Sequence, residues 1–105
     1  MPHFLDVMAP TKSQQSRGLL GFIIFQSDYA VSLETVLVIP CKAAAANVDL
    51  GKLTPFFELN GIQALAMVPQ IAGLARREVE APVIGTALPI RDSLIAALDL
   101  LVTGF

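Results

Sequence analysis

The sequence predicts an α+β domain with mostly antiparallel strands, and three observations carry that expectation. Apolar, β-branched runs separated by turn residues recur up to Ile84, an Asn60-Gly61 pair sits between two such runs, and one amphipathic helix follows over residues 89–104. Strands first and a helix last is the order of an α+β fold. At 105 residues the chain has the length of one domain with a single core.

Taken in order, residues 4–8 have the apolar bias of a short first strand. Residues 9–17 hold Thr11, Lys12, Ser13, Gln14, Gln15 and Ser16 and read as a polar, mobile connection. Residues 19–25 are nearly all apolar between Gly18 and Gln26-Ser27-Asp28, the pattern of a central strand buried on both faces. Residues 29–34 connect it to a second β-branched run, 36–39, which Pro40 is expected to stop. The alanines at 43–46 fit either a helical turn or a loop. Residues 56–59 and 62–68 flank Asn60-Gly61, and a type I′ turn needs positive φ at both central positions, so this is a hairpin. Around Ala72-Gly73 and Pro82 the signals are mixed. Arg76, Arg77, Glu78 and Glu80 read there as a solvated charged patch, and Val83-Ile84 as a short last strand.

In the helix, Pro89 suits the first turn, Asp92 complements the positive end of the dipole and Gly104 marks the end. No residue stands out as an N-cap, Thr86 being the nearest candidate. At about 100° per residue, Ile90, Leu94, Ala97, Leu98, Leu101 and Val102 share one arc with Ile95 beside them, while Asp92, Ser93 and Asp99 lie outside it. Ala96 and Leu100 fall on the side that should be wet. Hydrophobic residues make up 54% and charged residues 15%, against about a quarter charged in ordinary domains, so more apolar surface is expected than one small subunit hides. A second copy meeting the helix through Ala96 and Leu100 follows, as a homodimer interface.

The same composition excludes much chemistry. A formal net charge of −2 and the lack of a basic run disfavour direct nucleic-acid binding. One histidine, His3, and one cysteine, Cys41, would have to serve any triad, thiol–imidazole pair or metal site, and His3 reads better as a surface residue. Cys41 beside Pro40 reads as an inert small hydrophobe in a reducing compartment. Neither a Walker pattern nor G-x-G-x-x-G occurs. The acids at Asp28 and Glu34, or Glu78 and Glu80, read as solvated charges, and Arg76-Arg77 as part of a charged loop. No catalytic residue, metal or cofactor is expected. The first residues lack the cationic start of a signal peptide, and no run approaches the ~18 apolar residues of a membrane span. A cytoplasmic protein without membrane contact is the expectation.

Several short motifs, weak singly, come in a specific order: Gln26-Ser27-Asp28 after a hydrophobic strand, Val38-Ile39-Pro40, Leu53 with Pro55, Asn60-Gly61, Val68-Pro69, Val83-Ile84-Gly85, and residues 95–101 with Gly104-Phe105. In that order and spacing the chain resembles the CcdB toxins of bacterial toxin–antitoxin modules over nearly its whole length, least from residue 1 to 17. The resemblance implies a homodimer whose subunits have a five-stranded antiparallel sheet, a small second sheet and one C-terminal helix. It implies binding to the GyrA subunit of DNA gyrase, trapping of the enzyme on cleaved DNA without covalent chemistry of the toxin's own, and neutralisation by a CcdA-like antitoxin. The gyrase-contacting positions it implies are Tyr29, Ala30, Asp99, Val102, Thr103, Gly104 and Phe105. Thr103 departs from the family pattern, which has tryptophan there, and Tyr29 and Ala30 replace aliphatics. A relative that dimerises and binds antitoxin without poisoning gyrase is therefore an alternative. A MazF-type endoribonuclease of the same fold is a weaker one, because no basic cluster lies near the strands.

Overall fold

The protein is described by a computed structural model covering residues 3–28 and 34–104. Tyr29, Ala30 and Phe105, three of the expected contact residues, lie outside the described residues. Seven strands form one antiparallel sheet: β1 (Asp6–Met8), β2 (Leu19–Ile24), β3 (Thr35–Ala43), β4 (Phe56–Leu59), β5 (Ile62–Ala66), β6 (Ala72–Ala75) and β7 (Val83–Thr86). Six of them run side by side in the order β4-β5-β3-β2-β1-β7, and β6 branches off β3. A short helix α1 (Lys12–Ser16) joins β1 to β2, and α2 (Arg91–Thr103) comes last. The α+β, antiparallel architecture with one late helix is the one expected, but the strands form a single curled sheet, with β6 branching from the first half of β3, rather than a five-stranded sheet and a separate small one.

The Asn60-Gly61 hairpin is present, with φ of 52° and 82° at its two central residues and Leu59 paired with Ile62. Its tip reaches the far edge of the sheet. Asn60 Nδ2 donates to the Ile84 carbonyl of β7 at 3.1 Å, and a Cβ on Gly85 would lie 2.6 Å from Leu59 Cδ1. The edges β4 and β7 therefore curl toward each other, and the sheet becomes a half-barrel.

Three expectations are corrected. Residues 9–17 are not a loop throughout, because Thr11 and Gln14 make a capping box. Thr11 Oγ1 accepts from Gln14 N at 3.2 Å, and Gln14 Oε1 accepts from Thr11 N at 2.7 Å. The helix carries no buried residue, so no apolar periodicity announces it. Pro40 does not stop β3. Along one edge of that strand, residues 35–38 pair with β6 and residues 41–43 with β5, and Pro40 falls at the changeover. Its carbonyl accepts from Met67 N at 2.9 Å on that side, so the missing N–H points into the gap between two neighbours, where no ladder bond is lost. Residues 72–75 form a strand, although Ala72-Gly73 carries little β-propensity, because β3 offers them an open edge. Two limits also shift. The strand after the hairpin ends at Ala66, with Val68–Gln70 a 3₁₀ turn around Pro69, and β1 starts only at Asp6 after a His3–Asp6 turn in which Leu5 has φ 72°.

β2 is buried on both faces, as expected. Ile23 and Phe25 join Val7, Ile39, Cys41, Phe57, Leu59, Ala64 and Ala66 beneath α2, while Phe22 and Ile24 join Met8, Val36, Val38 and Val79 on the opposite face. Helix α2 contributes Leu94 and Ala97 to the first cluster, with Ile90, Ile95 and Leu98 packed beside them. It lacks a side-chain N-cap, and the Thr86 hydroxyl instead accepts from Leu88 N at 3.1 Å where the preceding 3₁₀ turn begins. The expected apolar arc is only partly covered. Leu101 is 40% and Val102 73% exposed, and the buried positions of the helix are Leu94 and Ala97, in its first half and middle.

Candidate functional site: the helix end and its flank

Gly104 ends α2 with φ 80°, a left-handed conformation that glycine adopts without steric cost, and its N–H donates to Leu100 O at 2.9 Å. Thr103 turns its hydroxyl back onto the Asp99 carbonyl at 2.6 Å. Asp99, Val102, Thr103 and Gly104 are all exposed and lie within the last turn and a half of the helix. Of the expected contact residues, the described four are thus brought together as one surface, and neither buried cluster includes them.

The flank of α2 forms a groove of about 760 Å³ against the segment before β4, lined by Asp49, Lys52, Phe56, Ser93, Ala96 and Leu100 among others. Ala96 and Leu100, expected on the wet face, share this groove. Phe56 stands in it 58% exposed, a residue the sequence reading passed over. Phe56 and Phe57 are adjacent in a strand, so alternation sends their rings to opposite faces, but only the fold decides that Phe57 takes the core side. The groove wall is held from behind. Asp49 Oδ1 accepts from Gly51 N at 2.8 Å and from the buried Thr54 hydroxyl at 3.2 Å, while Thr54 Oγ1 accepts from Leu50 N at 2.9 Å.

The titratable groups stand elsewhere. His3 is an exposed residue, its Nδ1 3.3 Å from Asp28 Oδ2, and Asp28 Oδ1 accepts from Phe4 N at 3.1 Å. That carboxylate ties the His3–Asp6 turn to the segment that follows β2. Arg77, Glu78 and Glu80 are exposed, but Arg76 is half-buried, its N–H donating to Glu34 O at 2.8 Å where β6 meets β3. Cys41 is buried in the sheet, and burial pushes its thiol from 9.0 to about 12, only partly offset by a backbone hydrogen bond at Ile23. Among the described residues, no three His, Cys, Asp or Glu side chains gather as a metal site, and no helix is long and apolar enough to cross a membrane.

The strands form a half-barrel, and one late helix with an exposed end lies against it. The family model described as CcdB protein matches residues 5–104, nearly the whole chain, and the chain belongs to that family. With it comes the class, the toxin of a toxin–antitoxin module. No curated protein matches the chain.

Proposed function

We propose that this CcdB-type protein acts by binding rather than by catalysis, as a cytoplasmic homodimer that engages the GyrA subunit of DNA gyrase and is neutralised by a CcdA-like antitoxin. The observation that carries the reading is the exposed end of α2, where Asp99, Val102, Thr103 and Gly104 form one surface outside the buried clusters. Tyr29, Ala30 and Phe105 join them by resemblance. The dimer contact is assigned to the groove flank, with Ala96 and Leu100 now accompanied by Phe56. An aromatic ring of that exposure in an apolar groove is the type of residue that anchors a protein interface.

One observation favours the alternative, a relative that dimerises and binds antitoxin but does not poison gyrase. Thr103 commits its hydroxyl donor to Asp99 O, and threonine lacks the flat surface that tryptophan offers a cationic partner. Growth assays separate the readings. Induced wild type should arrest growth, deletion of residues 103–105 should abolish arrest with melting temperature nearly unchanged, and Thr103→Trp should strengthen it. Three folded, harmless proteins would leave the non-poisoning relative as the correct reading.

A further inference from the structure

We propose that Asn60 is a site of spontaneous covalent modification, at which the Gly61 main-chain nitrogen attacks the Asn60 side chain and the product releases the hairpin tip from β7. Asn60 and Gly61 are both exposed, so water and hydroxide reach them. Gly61 offers its nitrogen without a side chain beside it, and even an added Cβ would meet nothing within 4 Å. The chain's other asparagine provides a contrast. Both side-chain amides donate to a main-chain carbonyl, but Asn47 is half-buried and the β-branched Val48 follows it, which crowds the attacking nitrogen.

The step balances without any redox partner. The Gly61 nitrogen, having given up its proton to base, forms a bond to Asn60 Cγ, and the bond from Cγ to Nδ2 breaks as ammonia leaves with that proton. Water then opens the five-membered imide. Cleavage between Cγ and the nitrogen yields aspartate, and cleavage at the Asn60 main-chain carbonyl yields isoaspartate, whose main chain runs through Cβ and Cγ. The net change is amide and water to carboxylate and ammonium.

Either product loses the bond that fastens the hairpin tip across the half-barrel. Asn60 Nδ2 is the donor to Ile84 O, and a carboxylate has no proton to donate and would face that carbonyl with like charge. Aspartate still tolerates the positive φ of the turn, so it removes the staple alone. Isoaspartate also lengthens the main chain inside a two-residue turn that sets the β4–β5 register.

The test ages the purified protein in neutral and mildly alkaline buffer and reads intact mass, peptide mapping with isoaspartate detection, and Tm. A synthetic peptide spanning residues 57–64 is aged beside it. The expected result is a mass gain equal to exchange of NH for O, faster in alkali, mapped to residue 60 and not 47. Aged protein should melt lower, and Asn60→Asp should lower Tm by about 4–8 °C, the loss of one hydrogen bond in a domain of this size. Asn60→Gln, which cyclises far more slowly, should keep its mass. Folded protein of unchanged mass after the peptide has fully converted would overturn the proposal, as would modification at Asn47 first or an Asn60→Asp variant with unchanged Tm.

Discussion

Cys41 and Gly21 face each other across β2 and β3, and each is constrained by what the sheet leaves no room for. Burial holds the Cys41 thiol neutral, so the folded state binds its proton more tightly than the unfolded chain does. The resulting stability is full below the unfolded value near 9.0 and is lost as pH rises toward about 12. Alkaline denaturation should therefore show a fall in stability across that window that Cys41→Ala flattens, and a thiol reagent should leave the native protein unlabelled until it unfolds. Gly21 has a different constraint: a Cβ there would lie 2.8 Å from Met8 O and 2.9 Å from Val7 Cγ1. One of those atoms is main chain and cannot swing away. Gly21→Ala should cost about 1–3 kcal/mol in urea unfolding. Gly85→Ala should cost less, since Leu59 Cδ1 is the end of a side chain that can turn aside.

At the scale of elements, the contrast within α2 is the sharpest. Leu94→Ala empties a fully buried position and should cost about 2–5 kcal/mol, whereas Val102→Ala on the exposed end should stay within about 0.5 kcal/mol. Thermal melts of the two variants check this directly. Their positions also show what periodicity conveys: it grouped Leu94 and Val102 on one arc, but how far along the helix that arc is covered is a tertiary fact. Local chemistry was legible wherever it was self-contained. The Asn60-Gly61 turn and the twice-buried β2 are readable from their own residues. Pro40 misleads because its effect depends on which strand lies opposite, and residues 72–75 form β6 only because β3 has a free edge. Helix α1 was legible after all in Thr11 and Gln14, a capping signal that outweighs the absence of an apolar stripe. The site divides the same way. Ala96 and Leu100 followed from helical spacing, Phe56 needed the fold to bring β4 beside the helix, and the contact surface at residues 99–104 rested on resemblance.

For the molecule as a whole, the apolar groove beside α2 and the bare helix end next to it belong to one account, in which two copies associate through the flank and present their helix ends to a target. Light scattering at micromolar concentration should give about twice 11.2 kDa, and Phe56→Asp or Leu100→Asp should shift it to a folded monomer. Incubation with mixed RNA, with or without chelator, should leave the RNA intact. Specific cuts lost on changing Arg76, Arg77 or His3 would move the protein to the endoribonuclease class. The central claim is that the end of α2 is a gyrase-binding surface, and titration calorimetry of purified GyrA subunit against the protein tests it most directly. The account predicts saturable binding by wild type, tighter binding by Thr103→Trp, and none by a folded, dimeric variant lacking residues 103–105. Equal binding by the truncated dimer, or no binding by wild type and Thr103→Trp alike, would contradict it.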